Sequence, residues 1–291
     1  AGARAFVSLH ANASTVAAAL PVLERLKVAQ LPFDLQAYPY EEDPSCWGQA
    51  FSQAAQAAGL RGQVGIEPRQ FRVLELRLAE AAAPLATFSS AEAVVAALRM
   101  QKDDTELAAM RQAVRIAQQA LLNTLPHFRT GMSEQDLAAE LILQTLRAGS
   151  EGELPFMPIV SGGPNSANPH ATPSNRPIQP GDLLVIDWGA AAAGYFSDLT
   201  RTFAIGEVAP EYNRIAEIVL AANAAGRAAG KPGAPAKAVD LAARSVIEAA
   251  GYGEYFTHRT GHGLGMESHE PPYMRGDNEA ILLPGMTYTV E

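Results

Sequence analysis

The chain has 291 residues, of which 48% are hydrophobic and 18% charged, so it is long enough to bury a substantial core and to form two domains. Its formal net charge of -9 argues against a nucleic-acid partner, because a surface that binds nucleic acid normally carries a basic patch. It has no apolar run of the roughly 20 residues that cross a bilayer and no secretory signal at its start, which predicts a cytoplasmic protein with no membrane partner.

The first 95 residues combine Ala-rich helical segments with short strand-like runs such as 62–68, and they show no catalytic spacing. They contain the single cysteine of the chain, Cys46. One cysteine excludes an internal disulfide framework and fits a reducing compartment. We expect its thiol to be buried or inert.

Two amphipathic helices follow. The first has an apolar face made of Leu107, Met110, Val114, Ala117 and Leu121. Its start carries a capping box of Asp103 with Glu106, and Pro126 is expected to end it. The second helix is predicted over 133–148, between Ser133 as its N-cap and a glycine that ends it.

The same order of elements then occurs twice. Strand-like runs at 156–162, 183–189 and 195–206 follow the first helix pair. A second helix pair runs from about Pro210 to Gly251 and is interrupted at 231–235. One side of its first helix carries Tyr212, Ile215, Val219 and Ala222, and a strand-like end, "TYTVE", follows the pair. This duplication predicts an α+β sheet with pseudo-twofold symmetry, packed by helices on one face, with a site at the seam between the halves.

Two aspartates lie inside the strand-like segment "VIDWGAAAAGYFSDLTRTF". If a hairpin is centred between Ala192 and Ala193, Asp187 and Asp198 face each other directly on one side of the sheet. Two opposed carboxylates repel, so either one stays protonated or a cation lies between them. The alternative is an asymmetric loop in which one aspartate caps a turn.

The segment "HRTGHGLGMESHEPP" contains His262 and His269. Its three alternating glycines disfavour a helix and allow the backbone to approach another group closely. Both histidines are suitable metal ligands or oxyanion stabilisers, although a structural histidine is the alternative. His170 in a turn-rich loop and Glu291 in "TYTVE" carry no signal alone, and no nucleophilic serine or cysteine motif is present.

Taken together, these motifs resemble the pita-bread metallopeptidases, which include prolidase, aminopeptidase P and methionine aminopeptidase. The resemblance covers about residues 95–291. The segment "LRMQKDDTELAAMRQA" is similar to the linker and first catalytic helix of the proline-specific branch, which has an extra N-terminal domain. The resemblance implies an α+β pita-bread catalytic domain at 98–291 and a smaller α/β, creatinase-like domain at 1–97.

The resemblance also implies a site with two divalent ions, commonly manganese, cobalt or zinc. Asp187, Asp198, His262 and Glu291 would be the metal ligands, with Asp198 and a glutamate beyond Glu291 bridging the ions. Glu291 would also move the proton of the attacking water, while His170 and His269 orient the substrate. Thr200 and Thr202, which share parity with Asp198, would support the ligands.

The implied activity is hydrolysis of the peptide bond before proline by an Xaa-Pro dipeptidase, acting as a homodimer on small peptides with proline second. Aminopeptidase P is the close alternative. A non-catalytic binding protein and a metal-independent amidinohydrolase are less favoured, because all four metal-ligand positions that the resemblance implies in this chain carry the expected residue types. Arg259 or Arg275 is a candidate partner for a dipeptide carboxylate. Both ends of the chain are shorter than the family pattern, which predicts an incomplete N-terminal domain and a catalytic domain without its C-terminal end.

Overall fold

The computed structural model describes residue 38 and residues 43–291. The chain divides into two compact units between Val95 and Ala96, and the predicted domain boundary at 97/98 falls in the same helix, Glu92–Met100. No helix among the described residues is long and apolar enough to cross a membrane.

The described part of the first unit is a small α/β arrangement. Helix α1 (Trp47–Ala58) precedes strand β1 (Gly62–Ile66), helix α2 (Val73–Ala82) and strand β2 (Ala86–Ser90), and β1 pairs with β2 in parallel. A parallel pair needs a crossover connection, which α2 supplies. Trp47, Phe51 and Ala79 form its core. Cys46, expected to be buried or inert, is not buried, because it lies in a short 3-10 turn before α1 and is exposed; an inert thiol stays a prediction.

Helix α3 (Glu92–Met100) spans the division between the units, and the second unit continues with helices α4 (Asp104–Thr124) and α5 (Glu134–Arg147). The capping box of α4 is confirmed, since Asp103 accepts from the Glu106 N–H and Glu106 accepts from the Asp103 N–H. Pro126 lies in a 3-10 turn that follows α4, and Ser133 caps α5. The two helices pack on a core of Ala113, Ile116, Ala117, Ala120, Leu137, Leu141, Val160, Ile186 and Trp188.

The buried face of α4 is rotated slightly from the predicted one. Leu107, Val114 and Leu121 are only half-buried, whereas Ala113, Ile116 and Ala120 are buried. Small residues on this face bring the helix close to the sheet, and the indole N–H of Trp188 donates to the Ala117 carbonyl over 2.9 Å.

A three-stranded antiparallel sheet follows, in the order β3 (Ile159–Gly162), β4 (Leu183–Trp188) and β7 (Leu199–Ala204). Along the central strand β4, Leu184, Ile186 and Trp188 belong to the helix-packed core. Side chains alternate along a strand. Asp187 therefore projects from the sheet face opposite the helices.

The hairpin register differs from the predicted one. The short strands β5 (Ala191–Ala192) and β6 (Tyr195–Phe196) pair Ala192 with Tyr195, so the turn residues are Ala193 and Gly194. Both have positive φ, at 52° and 76°, as a two-residue type I′ turn requires. In this register Asp187 pairs with Thr200, so the prediction that Asp187 directly opposes Asp198 is wrong.

The second repeat contains helices α6 (Pro210–Ala229) and α7 (Lys237–Ala249) and the antiparallel strands β8 (Gly261–Gly263) and β9 (Glu270–Met274). In the described residues β8 and β9 form their own sheet, separate from β3, β4 and β7, where a single sheet was predicted. The predicted apolar side of α6 is wrong at Tyr212 and Val219, which are exposed, while Ala222 is buried against α7.

The turn at Gly194 sets the register that places both aspartates, and it can be tested. An added Cβ at Gly194 would have open space around it, so Gly194→Ala isolates the cost of positive φ. We expect a loss of about 1 kcal/mol in the free energy of unfolding, measured by urea denaturation. Gly152→Ala, also in open space but without positive φ, is the control and should change stability by less than about 0.5 kcal/mol. Equal effects would contradict this account of the turn.

Candidate metal centre

Asp187 and Asp198 are neighbours despite the change in register. Asp198 lies immediately before β7, two residues before the Thr200 that pairs with Asp187. The Asp187 carboxyl interacts with both Asp198 and the Thr200 hydroxyl. Its Oδ1 is buried and has no hydrogen-bond partner in the described structure. An unpartnered buried carboxylate oxygen is costly, and a bound cation would satisfy it.

Strand β8 places His262 beside these carboxylates. His262 is 2% exposed. Its Nδ1 lies 2.9 Å from the Gly263 carbonyl oxygen, which can only accept, so Nδ1 carries a proton. The Nε2 atom then faces Asp198 Oδ2 at 3.5 Å and Glu291 Oε1 at 3.1 Å. A backbone bond that sets the histidine tautomer is typical of metal ligands.

The segment that ends at Glu291 runs alongside β8. The Thr289 N–H donates to the His262 carbonyl over 2.8 Å, and the Glu291 N–H donates to the Thr260 carbonyl over 2.8 Å. It is paired through backbone bonds and one isolated bridge rather than as a continuous strand. An added Cβ at Gly261 would collide with the Thr289 carbonyl, and one at Gly263 with the Pro271 carbonyl. The expectation that these glycines allow close backbone approach is confirmed.

His269 joins the group more closely than expected. The His262 and His269 rings have centroids 3.9 Å apart and are tilted by 57°. Ligand atoms of Asp198, His262 and His269 all lie within 4.8 Å of one another, a spacing that could hold a metal ion. Asp187 and Glu291 adjoin this trio through Asp198 and His262, respectively.

His170 lies in an exposed loop, where its N–H donates to the Asn168 side chain. Its charge is close enough to help lower the pKa of His269, after the larger effects of burial and of the His262 and Arg259 charges. Of the two predicted supporting threonines, Thr200 contacts Asp187, whereas Thr202 pairs with Val185 farther along the sheet and is exposed.

Burial and mutual repulsion shift the pKa values of the aspartates. Burial and the Glu291 charge raise the pKa of Asp187 to about 6. Burial and the charges of Asp187 and Glu291 raise the pKa of Asp198 to about 8. Glu291 differs: although burial opposes it, the bond with His262 holds the pKa of Glu291 below its usual value. The site therefore concentrates negative charge that a cation would stabilise.

A buried carboxylate that the sequence analysis missed supports the strand of His262. Asp240, on α7, is 1% exposed and accepts from the Thr260 N–H at 3.0 Å and the Thr260 hydroxyl at 2.9 Å. Arg244 pairs with Asp240 and also donates to the Phe256 and His258 carbonyls. The available signal was an aspartate beside Val239 on the apolar face of an amphipathic helix.

A buried ion pair, also missed, lies at the other end of the histidine segment. Lys102 Nζ is 2.5 Å from Glu270 Oε1, and their side chains are 1% and 5% exposed. Glu270 directly follows His269 and begins β9. An added Cβ at Gly265 would press on both Lys102 and Glu270. The pair thus ties the start of α4 to the loop that carries His269.

The family is shown by a match to the model of metallopeptidase family M24 over residues 108–291. The chain belongs to metallopeptidase family M24. This M24 chain is 33% identical to the Xaa-Pro dipeptidase of Lactobacillus delbrueckii subsp. lactis over 92% of its own length and 73% of that protein. It is 41% identical to the uncharacterized peptidase YqhT of Bacillus subtilis. That match covers 71% of this chain but only 60% of YqhT. This chain spans little more than half the length of some other curated relatives.

Solved structures agree with the pita-bread fold expected for this M24 chain. The X-Pro aminopeptidase of Thermotoga maritima superposes with a TM-score of 0.81 at 29% identity, covering 96% of this chain and 76% of that one. The prolidase of Pyrococcus furiosus gives a TM-score of 0.75 at 33% identity, covering 82% and 70%. Since the family consists of metallopeptidases, its membership and the donor group together indicate a divalent-metal site.

The raised pKa of Asp198 predicts how the metal-free protein responds to pH. A carboxyl whose pKa rises on folding adds stability to the folded protein as long as it is protonated. For Asp198 this stability is complete below the pKa of the unfolded chain, near 4, and is lost as the pH rises toward about 8. Asp198→Asn removes this loss. In a chelator at pH 8 its Tm should exceed that of the wild type by at least about 2 °C, and the difference should disappear near pH 4.

Thermal melts at pH 4, 6 and 8 measure this effect, with Asp277→Asn, an exposed aspartate, as the control. Added Mn²⁺ should raise the Tm of the wild type more than that of Asp198→Asn. The account of the site is contradicted if Asp198→Asn melts below the wild type at pH 8 without metal.

Proposed function

We propose that this chain is a metal-dependent exopeptidase that hydrolyses the peptide bond before proline, as an Xaa-Pro dipeptidase. The observation that carries the proposal is the position of His262 Nε2 between Asp198 and Glu291. The name of the Lactobacillus relative, which aligns over most of the chain, supports the substrate class.

The donor chemistry fits the proposed metal centre. Asp187, Asp198, His262 and Glu291 would hold two divalent ions, of manganese, cobalt or zinc. Carboxylates and neutral imidazole suit all three metals. The unpartnered Oδ1 of Asp187 fits a ligand role. When bound, the ions supply Lewis acidity, which lowers the pKa of water and polarises the substrate carbonyl.

Glu291 is the proposed proton carrier. Its side chain is 39% exposed, unlike that of His262, so both water and a leaving group can reach it. Its low pKa keeps it ionised and able to accept the proton of the attacking water. The proton then passes to the proline nitrogen as the peptide bond breaks.

His269 and His170 are proposed to position the substrate. His269 is exposed over part of its surface, but partial loss of solvent around its ring and nearby positive charge lower its pKa, so at neutral pH it is an uncharged hydrogen-bonding group. It lies against the His262 ring, where it can donate to the oxygen of the scissile carbonyl as negative charge develops there.

Arg259 is the better candidate for the dipeptide carboxylate. Its Nε is buried without a hydrogen-bond partner in the described structure, and its guanidinium lies 5.2 Å from the centre of the Tyr273 ring. Arg275 is exposed and already paired with Asp277 at 2.6 Å. An arginine with an unsatisfied donor near the site suits a planar carboxylate.

Aminopeptidase P activity is the second candidate, favoured by the structural likeness to the X-Pro aminopeptidase of Thermotoga maritima. A non-catalytic binding protein and a metal-independent amidinohydrolase are disfavoured, because all four residues proposed as metal ligands are present. The homodimer, the cytoplasmic location and the domains at 1–97 and 98–291 stay predictions.

The test is an assay of the full-length protein after metal removal. Added Mn²⁺ should restore hydrolysis of Ala-Pro, with little activity on Ala-Ala, and Glu291→Gln should lower kcat by roughly 100-fold or more. Arg259→Ala should raise KM for Ala-Pro about tenfold, whereas Arg275→Ala should not change it.

The tripeptide Ala-Pro-Ala separates the two candidates. Cleavage of Ala-Pro alone supports the dipeptidase, and equal or faster cleavage of the tripeptide supports aminopeptidase P. Failure to cleave either peptide with manganese, cobalt or zinc would contradict the enzyme proposal.

A further inference from the structure

We propose that Glu134 is a positioning residue, whose buried carboxylate fixes the loop that carries His170 and thereby sets substrate binding. The inference rests on the proposed function, because it assigns His170 to the substrate. Glu134 is the first residue of α5 and lies far from His170 in sequence.

The Glu134 carboxylate binds both ends of the His170 loop. It is fully buried, at 0% exposure. Oε1 accepts from the Gly162 N–H at 2.8 Å, and Oε2 accepts from the Ser174 N–H at 3.0 Å and the Ser174 hydroxyl at 2.7 Å. The Asn165 side-chain amide donates to both oxygens at 3.0 Å. One carboxylate therefore closes the loop between Gly162 and Ser174.

The backbone at the start of α5 adds to this closure. The Glu134 N–H donates to the Arg176 carbonyl, and the Gln135 N–H donates to the Ser174 carbonyl, each over 3.1 Å. These donors belong to the first turn of a helix, where N–H groups have no partner within the helix. Arg176 in turn forms a two-pronged pair with Asp182, at 2.7 and 2.8 Å.

The charge of Glu134 is needed for this arrangement. A neutral apolar side chain could fill the same volume, but it would leave the Gly162, Asn165 and Ser174 donors without acceptors. Although burial opposes ionisation, the bonds from Gly162, Ser174 and Asn165 lower the pKa of Glu134. Bonds to an ionised acceptor are stronger than neutral ones, so the ionised carboxylate restrains the loop.

The second repeat has a matching arrangement, which links the restraint to the site. Asp240 lies in the first turn of α7 and binds Thr260, two residues before His262. In each repeat, therefore, a buried carboxylate at the start of the second helix binds a segment that bears a histidine of the site. The proposed function assigns His170 to the substrate, and His170 lies between Gly162 and Ser174, the two residues that Glu134 binds, so moving this loop would move a group proposed to position the substrate.

The test compares Glu134→Gln with Glu140→Gln, the same change on the same helix at a residue that contacts Gln144 and His127 instead of the loop. Glu134→Gln should speed amide hydrogen exchange in residues 163–173 by more than tenfold and leave 261–263 unchanged. It should lower kcat/KM for Ala-Pro about tenfold, mainly through KM, with Mn²⁺ affinity within twofold of wild type. Glu140→Gln should match the wild type in every measurement.

A double-variant cycle separates positioning from general stability. In the His170→Ala background, Glu134→Gln should lower kcat/KM by less than a further twofold. If Glu134→Gln does not fold, Ser174→Ala, which removes one donor to Glu134, replaces it in the test and should show the same effects at smaller magnitude. An equal loss in both backgrounds, or unchanged exchange in the loop, would overturn the proposal. If the wild type cleaves no Xaa-Pro peptide, the proposed function fails and the exchange comparison alone decides whether Glu134 fixes the loop.

Discussion

The repulsion among three carboxylates around one buried imidazole is the constraint on which the site depends. Asp187, Asp198 and Glu291 converge on a region where burial already disfavours charge, and the pKa values of both aspartates rise as a result. His262 relieves part of the repulsion through its contacts with Asp198 and Glu291. The Oδ1 atom of Asp187 has no hydrogen-bond partner in the described structure, so the repulsion at this atom is not relieved. A fold that retains this cost is best explained by a cation that removes it.

The remainder of the second unit keeps these groups together through buried polar contacts outside the metal group. Asp240 binds the start of β8, the Lys102–Glu270 pair lies beside the loop of His269, and Glu134 closes the loop of His170. Glu134 and Asp240 join a helix to a segment outside it, and Lys102, which lies just before α4, contacts Glu270 beside the loop of His269. Apolar packing is not directional, whereas hydrogen-bonded carboxylates fix distance and orientation. Precise placement of the histidines therefore follows from these polar contacts rather than from the hydrophobic core.

How far the sequence predicts this arrangement depends on the range of the interaction. Helix caps such as Asp103 and Ser133 depend on residues three positions apart, so the sequence pattern was sufficient to predict where these helices begin. The alternation of side chains along the strands correctly predicted that Asp187 and Asp198 lie on the same side of the sheet. It did not predict which residues pair, because the turn lies at Ala193 and Gly194. The glycine spacing around His262 correctly indicated close backbone approach, although it could not name Thr289 and Pro271 as the groups approached. Glu134 and Asp240 bind residues distant in sequence, so the sequence could not name their partners, although the position of Asp240 on an apolar helix face indicated that it is buried.

The most direct test of the metal centre is anomalous diffraction from crystals of the full-length protein soaked in Mn²⁺. A manganese peak is expected within about 2.3 Å of Asp198 and His262, with Asp187 or Glu291 as a further ligand. A second peak near Asp187 would match the proposed two-ion centre. Full manganese occupancy elsewhere on the protein, with none at Asp198 and His262, would show that these residues do not form the metal centre.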